Sequence, residues 1–287
     1  MSILVGHDTR VVIQGITGSI GQYIANRMKT SGDANIVAGV TPGKGGQEIV
    51  GVPVYDTVYE AVGEKAANTG LIFVPPTFAA DAIIEAADAG LKLAVVYSEG
   101  VPVHAAARAI EYASLRKMRV IGPNAAGVAS PGKANVSELS NDWLKPGSIG
   151  IVSKSGTLTY DILKFSSGYK GVSTIACLGG DQIPGTRIAD VLPMFENDAE
   201  TKLIIMLGEI GGTDEMVAAE LIKNMTKPVV SYICGLCAPK EKSMGHAGAI
   251  QNKYSDTAEA KTEALSANGA KTAKTRNEIF RIVSGLL

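Results

Sequence analysis

No apolar run in this chain approaches 18 residues, which argues against a membrane-spanning helix. The opening MSILVGHDTR lacks the layout of a secretory signal, so a cytoplasmic location is expected, or an organelle matrix if a transit peptide was removed. An excess of either charge is missing too. The 27 Lys and Arg against 28 Asp and Glu leave a net charge of −1, and no nucleic-acid or membrane surface is expected. Cysteine is scarce: Cys177, Cys234 and Cys237 each lie in or beside an apolar stretch. Cys234-Gly235-Leu236-Cys237 has CxxC spacing, but there is no second pair and Cys234 falls in a strand pattern. It reads as a strand-end or buried thiol, and no metal site is expected. The GxxxxGK[ST] signature of a Walker nucleotide site is absent, as are low-complexity segments and short repeats.

What is present, over 287 residues, is enough chain for two modest domains with their own cores. Short β-branched runs alternate with amphipathic stretches, the pattern of βα units around parallel sheets. In the first half these runs are 10–14, 36–40, 71–74, 91–97 and 119–122, with the clearest helix at 78–89 before Gly90. Residues 1–125 are expected to form a Rossmann-like domain. The stretch 126–147 is rich in Gly, Pro, Asn and Ser and carries the only tryptophan, Trp143; it reads as a connector lying over a surface. A second βα series, with strands at 148–153, 172–177, 203–207 and 228–234, fills 148–287.

Gly15-Ile16-Thr17-Gly18-Ser19-Ile20-Gly21 joins the first strand to the first helix, where glycines let backbone N–H groups approach a phosphate. The spacing is GxxGxxG rather than GxGxxG. After the second strand a dinucleotide site needs an acid for the ribose hydroxyls, and this chain has Thr41-Pro42-Gly43-Lys44-Gly45-Gly46 instead. A lysine suits a phosphate, or else stands solvated on a flexible surface turn; together the two loops favour a nucleotide cofactor with extra phosphate, such as coenzyme A, over a dehydrogenase cofactor. In the second half Ser153-Lys154-Ser155-Gly156-Thr157-Leu158-Thr159-Tyr160 follows a strand and opens a helix, a second anion site or an ordinary N-cap.

The chain is organised around Ser243-Met244-Gly245-His246-Ala247-Gly248-Ala249-Ile250. It holds one of only three histidines, follows a strand end, and flanks the ring with glycines that leave room for a large group. Glu209, in Gly208-Glu209-Ile210-Gly211-Gly212, is placed either to orient an imidazole or to cap the next helix. Asp181, in a further glycine-rich strand exit, is a weaker candidate that reads rather as a turn former.

These motifs, with Gly122-Pro123-Asn124, resemble the α subunit of succinyl-CoA synthetase, nearly end to end and in the right order. The resemblance implies a CoA-binding domain followed by a flavodoxin-like ligase domain. Thr17, Gly18, Ser19, Ile20, Lys44, Tyr97, Ser98, Glu99 and Asn124 would hold CoA, and Tyr160 would sit by the acid substrate. His246 would become phosphohistidine beside Glu209, with Ser155, Gly156 and Thr157 holding the phosphoryl group. A separate ATP-grasp β subunit would bind ATP or GTP and Mg, in a heterodimer or heterotetramer. The family's Gly-Pro-Asn-Cys-Pro-Gly is here Gly122-Pro123-Asn124-Ala125-Ala126-Gly127, and the segment 133–143 departs from the usual Ile-, Gly- and His-rich stretch. After His246, Gln251 to Thr257 is similar to ATP-citrate lyase and citryl-CoA synthetase, and Thr77-Phe78-Ala79-Ala80-Asp81-Ala82 to malate–CoA ligase. Succinate is therefore the expected acid, with citrate and malate as alternatives; a non-catalytic CoA-binding module is a reading from another class.

Overall fold

The computed structural model describes residues 2–32, 34–166 and 170–287. The first half runs β1 (Arg10–Gln14), α1 (Ser19–Ser31), β2 (Asn35–Val40), β3 (Glu48–Ile49), β4 (Val52–Tyr55), α2 (Val58–Lys65) and β5 (Thr69–Ile72). It continues through α3 (Pro76–Asp88), β6 (Leu93–Val96), α4 (Val103–Leu115) and β7 (Arg119–Ile121). The second half opens with β8 (Gly127–Ser130), β9 (Ala134–Ser137), β10 (Pro146–Ser153), α5 (Gly156–Ser166), β11 (Val172–Cys177) and α6 (Ile188–Asn197). It closes with β12 (Leu203–Glu209), α7 (Asp214–Ile222), β13 (Val229–Cys234), α8 (Ala258–Ala267), β14 (Lys271–Ala273) and α9 (Arg276–Leu286).

Local chemistry sets the element ends. A capping box of Thr57 and Glu60 starts α2, and Gly32, at φ 65°, turns the chain out of α1. The central strands read as continuous apolar runs because helices cover both faces: Val11, Val12 and Ile13 are fully buried, as are Ile151 and Val152.

The strands form two sheets, ordered β3-β4-β2-β1-β5-β6-β7 and β14-β13-β12-β10-β11-β8-β9. Both are parallel except at one edge each: β3 runs antiparallel to β4, and β8 runs antiparallel to β11 and β9. The stretch read as a surface connector thus supplies two wholly buried strands of the second sheet. Its glycines and serines pack rather than loop: a Cβ on Gly127 would lie 2.3 Å from the Val136 carbonyl oxygen across the hairpin. In each sheet the strand order reverses beside the first long parallel strand, between β1 and β5 and between β10 and β12. Crevices at such points, outside the carboxyl ends of the strands, are where open α/β sheets bind ligands. One apolar cluster spans both sheets, from Ile13 and Ile121 through Val128 to Val152 and Met206, and holds the two crevices against each other.

Candidate active site

Between the sheets lies a cleft of about 570 Å3, walled by Gly18 to Gly21, Tyr97 to Glu99, Asn124, Glu138, Gly156, Thr157 and His246. Two helix N-termini therefore face one space. The α1 start has Gly18 at its N-cap, with no side-chain cap and no acidic residue in the first turn, so its N–H groups are left for a ligand. A second cleft of about 610 Å3 lies on the other side of the same loop, against Thr17, Val40, Thr41, Phe73, Val74 and Phe78. Thr17 donates a hydrogen bond to Thr41 there, at 3.1 Å.

His246 sits on the long segment after β13. The segment is pinned by backbone: the Gly248 N–H donates to the Gly180 carbonyl at 3.0 Å, and Met244 N–H to Ala249 carbonyl at 3.1 Å. The imidazole rests flat against Gly180, where an added Cβ would lie 2.2 Å from its Cγ. Its Nδ1 is 2.6 Å from Glu209 Oε2, at the end of β12. Of the two placements open for Glu209, the structure shows the one beside the ring; α7 takes Thr213 as its N-cap. The hydrogen bond to Glu209 raises the His246 pKa above its ordinary value, against an opposing pull from burial and from Lys154.

The other expected residues divide. Gly18, Ser19, Ile20, Tyr97, Ser98, Glu99, Asn124, Gly156 and Thr157 share the first cleft with His246, while Thr17 lines the second. Lys44 is exposed and lines neither cleft. Ser155 lies one residue outside the lining and uses its hydroxyl to accept the Leu158 N–H at 3.3 Å, as a cap of α5. The Tyr160 hydroxyl donates to the Glu138 carbonyl at 2.6 Å, its ring edge-on to Trp143. Asp181 is more than a turn former: Oδ2 accepts the Gly100 and Val101 N–H groups at 3.1 and 3.3 Å, tying the loop under His246 to the loop that carries Glu99.

Sequence reasoning passed over Glu138, whose carboxylate accepts the Tyr97 hydroxyl inside the cleft. Burial first, then this bond, raises the Tyr97 pKa. It also passed over Lys154, Glu215 and Lys261, which stand behind Glu209. Lys154 lay within a quoted motif; Glu215 and Lys261 gave no signal beyond a charged residue in a helical pattern.

Residues 7–100 match the model of the CoA binding domain and residues 152–271 that of the CoA-ligase domain. The chain is 51% identical to the succinate–CoA ligase [ADP-forming] subunit alpha 2 of Archaeoglobus fulgidus, covering 100% of both. To the corresponding alpha subunit of Aquifex aeolicus it is 48% identical, over 100% of this chain and 95% of the other. A variant ATP citrate lyase of Methanosaeta concilii, solved with (3S)-citryl-CoA, superimposes with a TM-score of 0.89 at 25% identity. That match covers 99% of this chain and 51% of the lyase, so the chain spans about half of that polypeptide. A CoA-binding domain joined to a CoA-ligase domain defines a subunit of an acid–CoA ligase. Within that class the chain belongs to the family of succinate–CoA ligase α subunits, whose naming implies a partner subunit. Among the described residues no helix is long and apolar enough to cross a membrane.

Proposed function

We propose that this chain is the CoA-holding and phosphoryl-carrying half of a succinate–CoA ligase, with His246 as the carrier. The observation that supports this most directly is the His246–Glu209 pair at 2.6 Å, whose imidazole shares one cleft with the starts of α1 and α5. With Nδ1–H donated to Glu209, Nε2 keeps its lone pair for the γ-phosphoryl of a nucleotide. Phosphoryl transfer needs mainly positioning and charge stabilisation, and the N–H groups of Gly156 and Thr157 at a helix start can supply both. The acid's carboxylate then takes the phosphoryl group: the P–N bond breaks, an O–P bond forms, and Nε2 recovers its lone pair.

The first-half residues fit CoA: an uncapped helix start for phosphate, a cleft on each side of the Gly15–Gly18 loop, and Lys44 as an exposed cation for a further phosphate. CoA supplies the thiol that displaces phosphate from the activated acid. Thr17 to Ile20, Lys44, Tyr97 to Glu99 and Asn124 are assigned to hold it, and Tyr160 to border the acid. Residues 1–125 make the CoA-binding unit and 148–287 the ligase unit, with β8 and β9 attached to the latter by their pairing to β11. ATP or GTP with Mg is assigned to an ATP-grasp β subunit, in an αβ or α2β2 assembly. Full-length identity to the succinate–CoA ligases supports succinate; the likeness to the citrate lyase supports citrate as the second acid to try.

The test combines the chain with its β subunit and γ-labelled nucleotide, without acid. An acid-labile, base-stable label on this chain, absent in His246→Asn, is expected. Labelling that survives His246→Asn sinks the assignment. Thioester formation with succinate, malate and citrate then identifies the acid, and the isolated chain is expected to make none.

A further inference from the structure

Behind His246 stand charges that the phosphoryl-transfer reading leaves unused. Lys154, between β10 and α5, does not line the cleft. Its Nζ lies 3.6 Å from Glu215 Oε1 and 3.9 Å from Glu209 Oε1. Lys261, fully buried on α8, gives its hydrogens to Glu215 Oε2 at 2.5 Å, the Glu209 carbonyl at 2.8 Å and the Gly211 carbonyl at 2.5 Å. It neutralises Glu215 and has no donor left for the Glu209 carboxylate. Glu209 Oε2 takes the ring, and among the described residues Oε1 is buried without a hydrogen-bond partner. Lys154 holds the one ammonium within 4 Å of that carboxylate among the described residues.

A carboxylate clamped to an imidazole with nothing to offset it favours the imidazolium form. Both ring nitrogens then carry protons, and neither can accept a phosphoryl group. We infer that Lys154 is the counter-charge that limits the imidazolium form of His246: its ammonium offsets the Glu209 carboxylate, so Glu209 holds Nδ1 with a weaker pull on a second ring proton. The inference rests on His246 as the phosphoryl acceptor. Lys154 touches no substrate in this scheme; it is a positioning residue that acts through Glu209 and the field at the ring.

Glu209 at the end of β12 and Glu99 after β6 pull the ring toward the charged form; burial and then Lys154 oppose them, and the balance leaves the His246 pKa raised. Asp214 and Glu215 lie beyond on α7, Lys261 on α8, and Asp181 beside Gly180. Burial pulls the Lys154 pKa down, but Glu215, Glu209 and Asp214 outweigh it and leave it raised, so the ammonium stays charged through neutral pH.

The chain has only three histidines, His7, His104 and His246, so a 15N-imidazole NMR titration of the full chain gives three curves. His246→Asn identifies the one to follow. Lys154→Met is expected to raise the His246 midpoint by about one pH unit, and Lys154→Arg to return it to the starting value. In the complex with the β subunit, labelling of Lys154→Met should fall about tenfold below the midpoint and converge on the unaltered rate at alkaline pH. A lysine that merely tethered Glu209 would behave oppositely: freeing the carboxylate would lower the midpoint and slow labelling equally at every pH. A midpoint that falls or stays put, or an Arg variant no better than Met, overturns the inference. If the unaltered complex does not label His246, the carrier reading fails, while the NMR midpoint still decides whether Lys154 is the counter-charge. Should Lys154→Met not fold, Lys154→Gln takes its place in both measurements.

Discussion

Among the described residues, Asp198, Glu209, Glu215, Asp256 and Lys261 are buried ionisable side chains, and all lie in the second half of the chain. The first half buries Thr9, Gln14, Thr69 and Ser98, polar but uncharged. Yet both halves present a helix start to the same cleft. Holding a charged ligand at α1 needs only donors that water has not been excluded from. On the proposed reading the second half moves a phosphoryl group onto a ring, and that needs charges fixed in a dry setting, where their fields are strong and do not reorganise. Burying those charges is costly unless each is matched, which is why Lys261 spends its hydrogens on the Glu215 carboxylate and the Glu209 and Gly211 carbonyls.

Four substitutions sharpen or break this contrast. Lys261→Met leaves Glu215 with one fewer cation in a buried site, and urea unfolding should show a loss of about 3–5 kcal/mol. If it costs no more than removing the exposed Lys44, the contrast between the halves has no energetic content. Gly180→Ala drives a methyl into the His246 ring, at 2.2 Å from Cγ. Displacing the ring should slow labelling about a hundredfold while CoA binding, measured by calorimetry, is retained. Glu209→Gln keeps a hydrogen-bond acceptor but loses its charge, costing roughly 1–3 kcal/mol of stabilisation, which quench-flow labelling would read as a slower rate. The smallest effect belongs to the first half: Lys44→Ala should weaken CoA by about 1 kcal/mol and leave dephospho-CoA nearly unchanged, and equal losses would show that Lys44 does not read the extra phosphate.

Much of this was legible in the residues. The β-branched runs located the central parallel strands, and β1 and β11 coincide with the runs read at 10–14 and 172–177. The His246 motif and the two glycine-rich helix starts stand out from local sequence alone, and the structure brings them to one cleft. Two things did not. Gly127 to Ser137 looks like a loop by composition, and only the partner strand β11 makes it a sheet edge. Glu215 and Lys261 look like solvated positions of amphipathic helices; their burial arises from α7 and α8 meeting beneath the end of β12, a pairing between residues 46 apart that no local pattern encodes.

The position of β8 and β9 bears on how the chain can be cut. They precede β10 in sequence yet pair beyond β11 at the far side of the sheet. A fragment beginning at Ser148 would carry the family's ligase motifs but leave β11 as a bare edge, its Ile175, Ala176 and Cys177 stripped of their β8 partners. Unpaired apolar edges recruit other strands, so such a fragment should aggregate where one beginning at Ala126 stays dispersed.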